Sequence, residues 1–454
     1  MQLHLYDTKT RGDIAVAMQE RPIHIYCCGP TVYRDAHVGN LRTFLLSDLI
    51  RRALELSGQK VTLIQNITDV GHMSDDFEAE DKILAQSAVE NIDPFEIARK
   101  YEEKFHTDLA LLNIIPADRY PRASECIPMM QELIAKLIAN KNAYIGSDGC
   151  VYFDAKSYPT YGELSGNRLD ALKPGHRFEF SGEDGKRFHA DWALWKAAGA
   201  RKKMIWDSPW GPGFPGWHIE CSAMSLKFLD EVVDVHVGGI DLRFPHHENE
   251  RAQSNSLSGK EIVVLWSHGE HLLFEGRKMS KSSGNVVLLQ DVIKKGFDPL
   301  AIRLALLENR YRSQMDLSWD SIAAAHSTLR RWRKLVSQSP SVSPFPTPEI
   351  SHAINADLDT PRVIQILREI EKNGKLSAES KIGAFLFADR VLGLRLDHQA
   401  APPPLPNHLA QMLSDREYAR DSKNWAESDR LRQELESSGL VIKDGPTAQE
   451  WEWR

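Results

Sequence analysis

Two short segments carry side chains suited to handling a polyphosphate. Gly276-Arg277-Lys278-Met279-Ser280-Lys281-Ser282-Ser283-Gly284-Asn285 sets Lys278 and Lys281 three residues apart among hydroxyls and flanking glycines. Such a loop can clamp phosphate oxygens, and a lysine compensates charge as pyrophosphate leaves. The same residue types also make an ordinary solvated basic loop. The second segment, Pro30-Thr31-Val32-Tyr33-Arg34-Asp35-Ala36-His37-Val38-Gly39-Asn40, follows an apolar run and opens a helical pattern. Gly39 lets the backbone approach a ligand, a helix N-terminus favours phosphate, and His37 can donate to a phosphate oxygen. On its own this segment also fits a turn with an incidental histidine.

A third set of residues has the chemistry of metal ligands. Cys28 ends the first apolar run, Cys221 lies in Gly216-Trp217-His218-Ile219-Glu220-Cys221, and His246 and Glu250 follow Pro245. On a helix, His246 and Glu250 at i and i+4 share one face. Thiolate, imidazole and carboxylate all bind Zn²⁺. The plainer alternative is a buried cysteine and satisfied core histidines, because the segments are far apart in sequence. Cys27 and Cys28 point to opposite faces of a strand, so only one of them can reach a given ion. The five cysteines form no CxxC pair. An odd, sparse set argues against a disulfide framework. Cys126 and Cys150 read as plain buried residues, and His218 and His247 as structural neighbours of the candidate ligands.

Alternating strand and helix patterns must position these groups. Residues 23–28 read as a buried strand, 39–56 as a helix with Gly58 at its end, and 61–67 as the next strand. This is a βαβ unit, and it predicts a parallel sheet. A second such region runs from 232–236 to 262–266. Nucleotides bind in the crevice at the carboxyl ends of such strands. Between the halves, about 115–220, lie a helix at 127–141, a strand at 150–154 and a stretch rich in Gly, Pro and Trp. After about 286 the chain turns helical, with Pro-rich boundaries at 340–348 and 400–406 and a charged helix near 422–437. The cluster Arg330-Arg331-Trp332-Arg333-Lys334 suits phosphate contact with stacking, or equally a solvated helix face.

Composition sets the outer bounds. The 454 residues are 42% hydrophobic and 26% charged, ordinary for a globular protein of about three domains. No apolar run is long enough to span a membrane, and the first residues lack the pattern of a secretory signal. A cytoplasmic location without membrane association is expected. A net charge of −7 gives no support for DNA binding, and it leaves RNA open if positive charge gathers on one face.

Together the two phosphate-handling segments resemble the paired signatures of class I aminoacyl-tRNA synthetases, in that family's order. Position 40 departs from the pattern: the family usually has a second histidine where Asn40 stands, and Asn keeps a donor without a charge. His268-Gly269-Glu270 also departs from a frequent His-x-Gly order. Within that class, Cys28 before Gly29-Pro30-Thr31-Val32-Tyr33, Cys221 in Gly216–Met224, and His246 with Glu250 in Asp241–Glu250 are similar to the zinc site of the cysteinyl-tRNA synthetases. Asn66-Ile67-Thr68-Asp69, Trp192–Lys196, Lys443–Pro446 and Trp451 extend the resemblance across the chain.

The resemblance implies an α/β architecture, a Rossmann-type parallel-sheet catalytic domain with a connective insertion, followed by an all-helical C-terminal region. The expected boundaries are 1–115 and 221–275 for the two catalytic halves and 116–220 for the insertion. Residues 276–345 would form the lysine loop and a helical stem-contact region, and 346–454 an anticodon-binding region. His37, Asn40, Lys278 and Lys281 would act on ATP, with Gly39, Ser280, Lys281 and Ser282 holding it alongside Mg²⁺. Trp217, His236, Thr68 and Asp241 would line the amino-acid pocket, although Trp217 also suits a core and Asp241 a cap or turn. One Zn²⁺ per subunit would sit on Cys28, Cys221, His246 and Glu250. The implied partners are tRNA(Cys), ATP and L-cysteine, and the implied state is a monomer. Zinc separates a thiol from a hydroxyl far better than size does, so no editing domain is expected. Two rivals remain open at this point: a ligase joining cysteine to an amino-sugar, and a catalytically inactive RNA-binding relative.

Overall fold

In the computed structural model the four apolar runs form one parallel sheet. Its strands are β1 (Ile23–Cys27), β2 (Val61–Gln65), β3 (Val233–Gly239) and β4 (Val263–Gly269), in the order β4-β3-β1-β2. Helix α1 (Val38–Leu56) carries the chain from β1 to β2. Helix α2 (Trp217–Phe228) precedes β3, and α3 (His246–Ser258) joins β3 to β4. The strands that follow β1 and β3 lie on opposite sides of this central pair. The order therefore reverses between β1 and β3, which opens a crevice at their carboxyl ends. The structure describes all residues except 1, 72–80, 173–184, 231, 280–284, 340, 399–406, 439, 446–448 and 454.

The sheet separates two apolar cores. Ile23, Ile25 and Cys27 face one, packed on α1, while Tyr26 and Cys28 face the other. The second core is shared with the insertion, a four-stranded antiparallel sheet of Ala143–Ile145, Val151–Phe153, Trp192–Ala197 and Gly213–Pro215 with helix Ile127–Ala139. Cys126 is buried there, whereas Cys150 is only half-buried and accepts a hydrogen bond from the Ala197 amide at 3.3 Å.

The chain forms two compact units, Met1–Asp397 and His398–Arg454. Helices Pro348–Asn355, Thr360–Lys372 and Ala378–Leu392 belong to the first unit, although the sequence reading drew a boundary at 345/346. They pack there because apolar stripes meet helices Pro299–Leu307 and Trp319–Val336. The basic cluster at 330–334 is not the stacking surface considered above. Trp332 is fully buried, with its indole N–H donating to Glu371, and Arg333 is buried against Asp298 and the carbonyls of Leu394 and Arg395. The second unit contains helices Asn407–Asp421 and Trp425–Ser437, as a helical tail requires. It departs from an all-helical region in a hairpin, Leu440–Asp444 with Gln449–Trp453. Leu440 and Ile442 turn inward beside Leu409, Leu413 and Leu435, which gives the hairpin its reason to fold.

Arg303 fastens α1 to the helices behind it. Its guanidinium is fully buried, 2.5 Å from Asp48 Oδ2, and donates to the carbonyls of Leu112, Asn113 and Leu392. Asp48 Oδ2 also takes Arg52 Nε at 2.8 Å, so loss of Arg303 leaves three carbonyls without this donor and Asp48 with one of its two cations. Arg303→Met is therefore expected to cost about 3–5 kcal/mol in urea unfolding; a loss below about 1 kcal/mol would mean that the pair is solvent-screened.

Candidate active site

Four residues from three elements converge below the crevice. Cys28 follows β1, Cys221 lies on α2, and His246 and Glu250 lie one turn apart on α3. All four are buried, and their donor atoms fall within 4.8 Å of one another. Cys28 Sγ is 3.8 Å from Cys221 Sγ and 3.5 Å from Glu250 Oε1, and His246 Nε2 is 2.9 Å from Glu250 Oε1. His218 Nδ1, 2.9 Å from His246 Nδ1, occupies the other ring nitrogen and so orients the imidazole. His236 and His247 crowd the same thiol: their Nε2 atoms are 3.5 and 3.3 Å from Cys28 Sγ. Cys28 and Glu250 thus belong to a second donor group with His236 and His247. His247 is in turn held by His268 at 2.8 Å, and His268 by the Thr8 hydroxyl at 2.8 Å. The His247 ring fits because Gly238 has no side chain; a Cβ there would lie 2.4 Å from it.

Burial governs the protonation of this cluster. It drives the Glu250 carboxyl well above the usual range and pushes the Cys28 thiol up. At Cys221 the upward push of burial is outweighed by the hydrogen bond with Cys28 and by His246, so that thiol is lowered. Burial keeps His236 and His247 neutral. Glu250 Oε2 and His236 Nδ1 are buried without hydrogen-bond partners.

Above the cluster opens a cleft of about 360 Å³. Cys28 reaches it from below. His37, Gly39 and Asn40 line one wall, with Trp217, Asp241 and Lys278 around the rest. His37 caps α1: its Nδ1 accepts from the Asn40 amide at 3.2 Å, while the Asn40 side-chain oxygen accepts from the His37 amide at 3.3 Å. With Nδ1 committed as acceptor, the proton of the neutral ring sits on Nε2, free to be donated. Burial, helped by Arg34, lowers the His37 pKa to about 4. Lys278 ends a tight hairpin whose turn residues, Glu275 and Gly276, both have positive φ (48° and 76°). The Gly276 amide is anchored on Asp316 at 2.9 Å. Lys278 itself is exposed.

Residues 14–327 match the family described as tRNA synthetases class I (C) catalytic domain, and residues 402–451 match the cysteinyl-tRNA ligase anticodon binding domain. The chain is 40% identical to a cysteine–tRNA ligase of Thermus thermophilus over 99% of both chains. It is 37% identical to that of Chlamydia caviae over 98% of this chain and 96% of the other. The chain belongs to the cysteine–tRNA ligase family. Among solved structures it is similar in fold to a Mycobacterium tuberculosis methionyl-tRNA synthetase bound by methionyl-adenylate. That likeness has a TM-score of 0.54 at 14% identity and covers 82% of this chain and 90% of the other. An Agrobacterium radiobacter K84 LeuRS, solved as a ternary complex with tRNA and LeuAMS, aligns with a TM-score of 0.59 at 11% identity, covering 84% and 86%.

In this member of the ligase family, the cleft gathers Cys28, His37, Gly39, Asn40, Trp217, Asp241 and Lys278 from the residues selected by sequence. Thr68 and His236 are buried and do not line it. Thr68 bridges Asn66 and Glu220, and His236 stacks on Trp266 at 4.5 Å. Ser280, Lys281 and Ser282 lie outside the described residues. Trp217 is 37% exposed and tilts over the His246 ring, with centroids 4.1 Å apart, so it is a cleft wall rather than core. Sequence reasoning named Asn66 only within a family segment and gave it no site role; its Oδ1 accepts from the Gly29 amide at 2.8 Å and sits 3.7 Å from Cys221 Sγ. His268 was noted only for its order with Gly269 and Glu270; its distance from His247 in the chain hid their contact. A His37 pKa below its unfolded value stabilises the fold above about pH 6.5, and that contribution is lost as pH falls towards 4. NMR titration should find the His37 ring neutral from pH 8 to about 5. Arg34→Gln should raise the midpoint only part of the way, because burial is the larger cause. A wild-type midpoint near 6.5 would contradict this environment.

Proposed function

We propose that the chain activates L-cysteine with ATP and transfers it to the 3′ end of tRNA(Cys). The observation that carries this reading is the thiol–imidazole–carboxylate cluster under a cleft walled by His37, Gly39 and Lys278. The donor set suits Zn²⁺: two thiols, one imidazole and one carboxylate with donor atoms within 4.8 Å of one another, and one Glu250 oxygen that makes no hydrogen bond. A buried carboxyl beside two thiols is costly unless it is protonated or paired with a cation. Cys28, Cys221, His246 and Glu250 would hold the ion, with His218 orienting His246. When bound, Zn²⁺ supplies a soft site that takes a thiolate and rejects a hydroxyl, separating cysteine from serine.

The protein's own residues then position and neutralise. The carboxylate of cysteine attacks the α-phosphorus of ATP, and pyrophosphate departs with its electron pair. His37 donates Nε2–H to phosphate, and the α1 N-terminus at Gly39 offers its backbone amide. Lys278 and Lys281 offset charge on the leaving pyrophosphate, with Ser280 and Ser282 beside them and Mg²⁺ accompanying the nucleotide. Trp217 and Asp241 wall the amino-acid side, while Thr68 and His236 support it from below. The terminal ribose hydroxyl of the tRNA next attacks the adenylate carbonyl, and AMP leaves. No side-chain nucleophile is required, since positioning and electrostatics suffice. Residues 346–454 would read the anticodon.

Two measurements test this. Purified protein should contain about one Zn²⁺ per chain, and Cys221→Ser should bind it much more weakly, because a neutral hydroxyl replaces a thiolate ligand. Wild-type protein without stoichiometric zinc would sink the zinc assignment while leaving the ligase reading intact. Lys281→Ala should slow cysteine-dependent ATP–pyrophosphate exchange by about 10²-fold or more, the scale of losing one transition-state contact. An undiminished rate would count heavily against the role given to the lysine loop.

A further inference from the structure

Arg42 lies on α1, two residues past Asn40, and its side chain is only 5% exposed. Nη1 donates to the carbonyls of Glu270 and His271 at 2.7 and 3.0 Å. Nη2 donates to those of Arg310 and Ser313 at 3.0 and 2.8 Å. All four acceptors are main-chain oxygens; no carboxylate takes part. Burial lowers its pKa to about 10, so the group stays charged at neutral pH. A buried cation held by carbonyls alone is costly, and its acceptors show what it secures.

Glu270 and His271 line the cleft opposite His37. The next residues, Leu272–Phe274, form a strand that pairs with Arg277–Lys278 on one side and Met315–Leu317 on the other. Arg310 and Ser313 sit in the turn before Met315, and the Glu270 amide donates to the Tyr311 carbonyl at 2.8 Å. One guanidinium is therefore bonded from the helix capped by His37 to the two segments that lead into neighbouring parallel strands of the small sheet that carries Lys278, both at the same end of that sheet. The two phosphate-handling segments are about 240 residues apart in sequence, yet a single planar fork spans the gap between their supports.

We infer that Arg42 is a positioning residue that keeps the His37–Asn40 wall and the Lys278 hairpin in register across the cleft. The inference rests on the ATP reading above. A lysine keeps the charge but lacks the fork, so it cannot hold both carbonyl pairs at once. Small misplacement of groups that meet the transition state costs about 10²-fold, and the amino-acid side of the site has separate supports.

The test is cysteine-dependent ATP–pyrophosphate exchange by the full-length wild type, Arg42→Lys and Arg42→Gln, with thermal melts and bound metal measured alongside. Arg42→Lys is expected to fold with wild-type metal content and to lose about 10–100-fold in kcat. Its KM for ATP should rise while its KM for cysteine changes by less than about 2-fold, since only the ATP side is misaligned. Arg42→Gln should be worse on the same two parameters. Unchanged kcat and KM for ATP, an equal rise in both KM values, or unfolding of both variants would overturn the inference, the last two assigning Arg42 a merely structural role. Absence of exchange in the wild type would overturn the ATP reading itself, a result distinct from a normal wild type with indifferent variants.

Discussion

The cost of burying polar donors without solvent is the constraint around which this molecule is arranged. Two thiols, an imidazole and a carboxylate lie within 4.8 Å of one another, all sealed from water. Groups of this kind are tolerated inside a protein only when each finds a partner. The fold answers with a layer of imidazoles, of which His236, His247 and His268 are kept neutral by burial. His218 engages His246, His236 and His247 abut Cys28, and His268 backs His247. Neutral rings can donate and accept without adding charge to a low-dielectric site. The packing that brings them together also removes side chains elsewhere. Gly29 is one such position, where a Cβ would sit 1.6 Å from the Asn66 carbonyl oxygen.

The reversal of strand order between β1 and β3 turns this constraint into a cleft. Cys28 ends one central strand, and the loop after β3 ends the other, so the donor cluster forms the base of the crevice. The rim is built differently. His37 and Lys278 are positioned by caps and a hairpin, motifs that fix the backbone while leaving the side chain reachable. On the proposed reading, specificity for the amino acid is thereby placed deep and phosphate handling at the rim. Arg303 and Arg42 show how the two levels are kept together: each is a buried guanidinium that collects carbonyls from distant segments.

Much of this was legible in sequence where period and chemistry coincide. The alternation of a strand separated Cys27 from Cys28, and the two thiols do enter different cores. The four-residue spacing of His246 and Glu250 put both on one helix face, and Glu250 Oε1 lies 2.9 Å from His246 Nε2. Other features were present but outweighed. Ile322, Ala325, Leu329, Trp332 and Val336 form a clear helical stripe, yet the flanking arginines made Trp332 look like a surface aromatic. Leu440, Val441 and Ile442 are a short β-branched-rich apolar run as a strand should be, but the charged helix before them dominated the reading. The imidazole layer was legible only in part: His218 and His247 read as neighbours of the candidate ligands, but the partner of His247 did not. His247 and His268 are 21 residues apart on a helix and the next strand, and only the βαβ crossover brings them together.

Position 40 shows how structure converts an apparent loss into a different assignment of roles. An asparagine at this position puts no titratable group at the mouth of the cleft. Asn40 instead closes a reciprocal cap with His37, each accepting from the other's amide. The cap commits His37 Nδ1, and burial keeps the ring neutral, so one tautomer is selected and its proton points away from the helix. A doubly protonated histidine would lose the Nδ1 acceptor and with it the cap. On the proposed reading, the positive charge that phosphate chemistry needs comes from the lysines and the helix terminus. The imidazole serves as an oriented hydrogen-bond donor, and Asn40 acts by fixing that orientation.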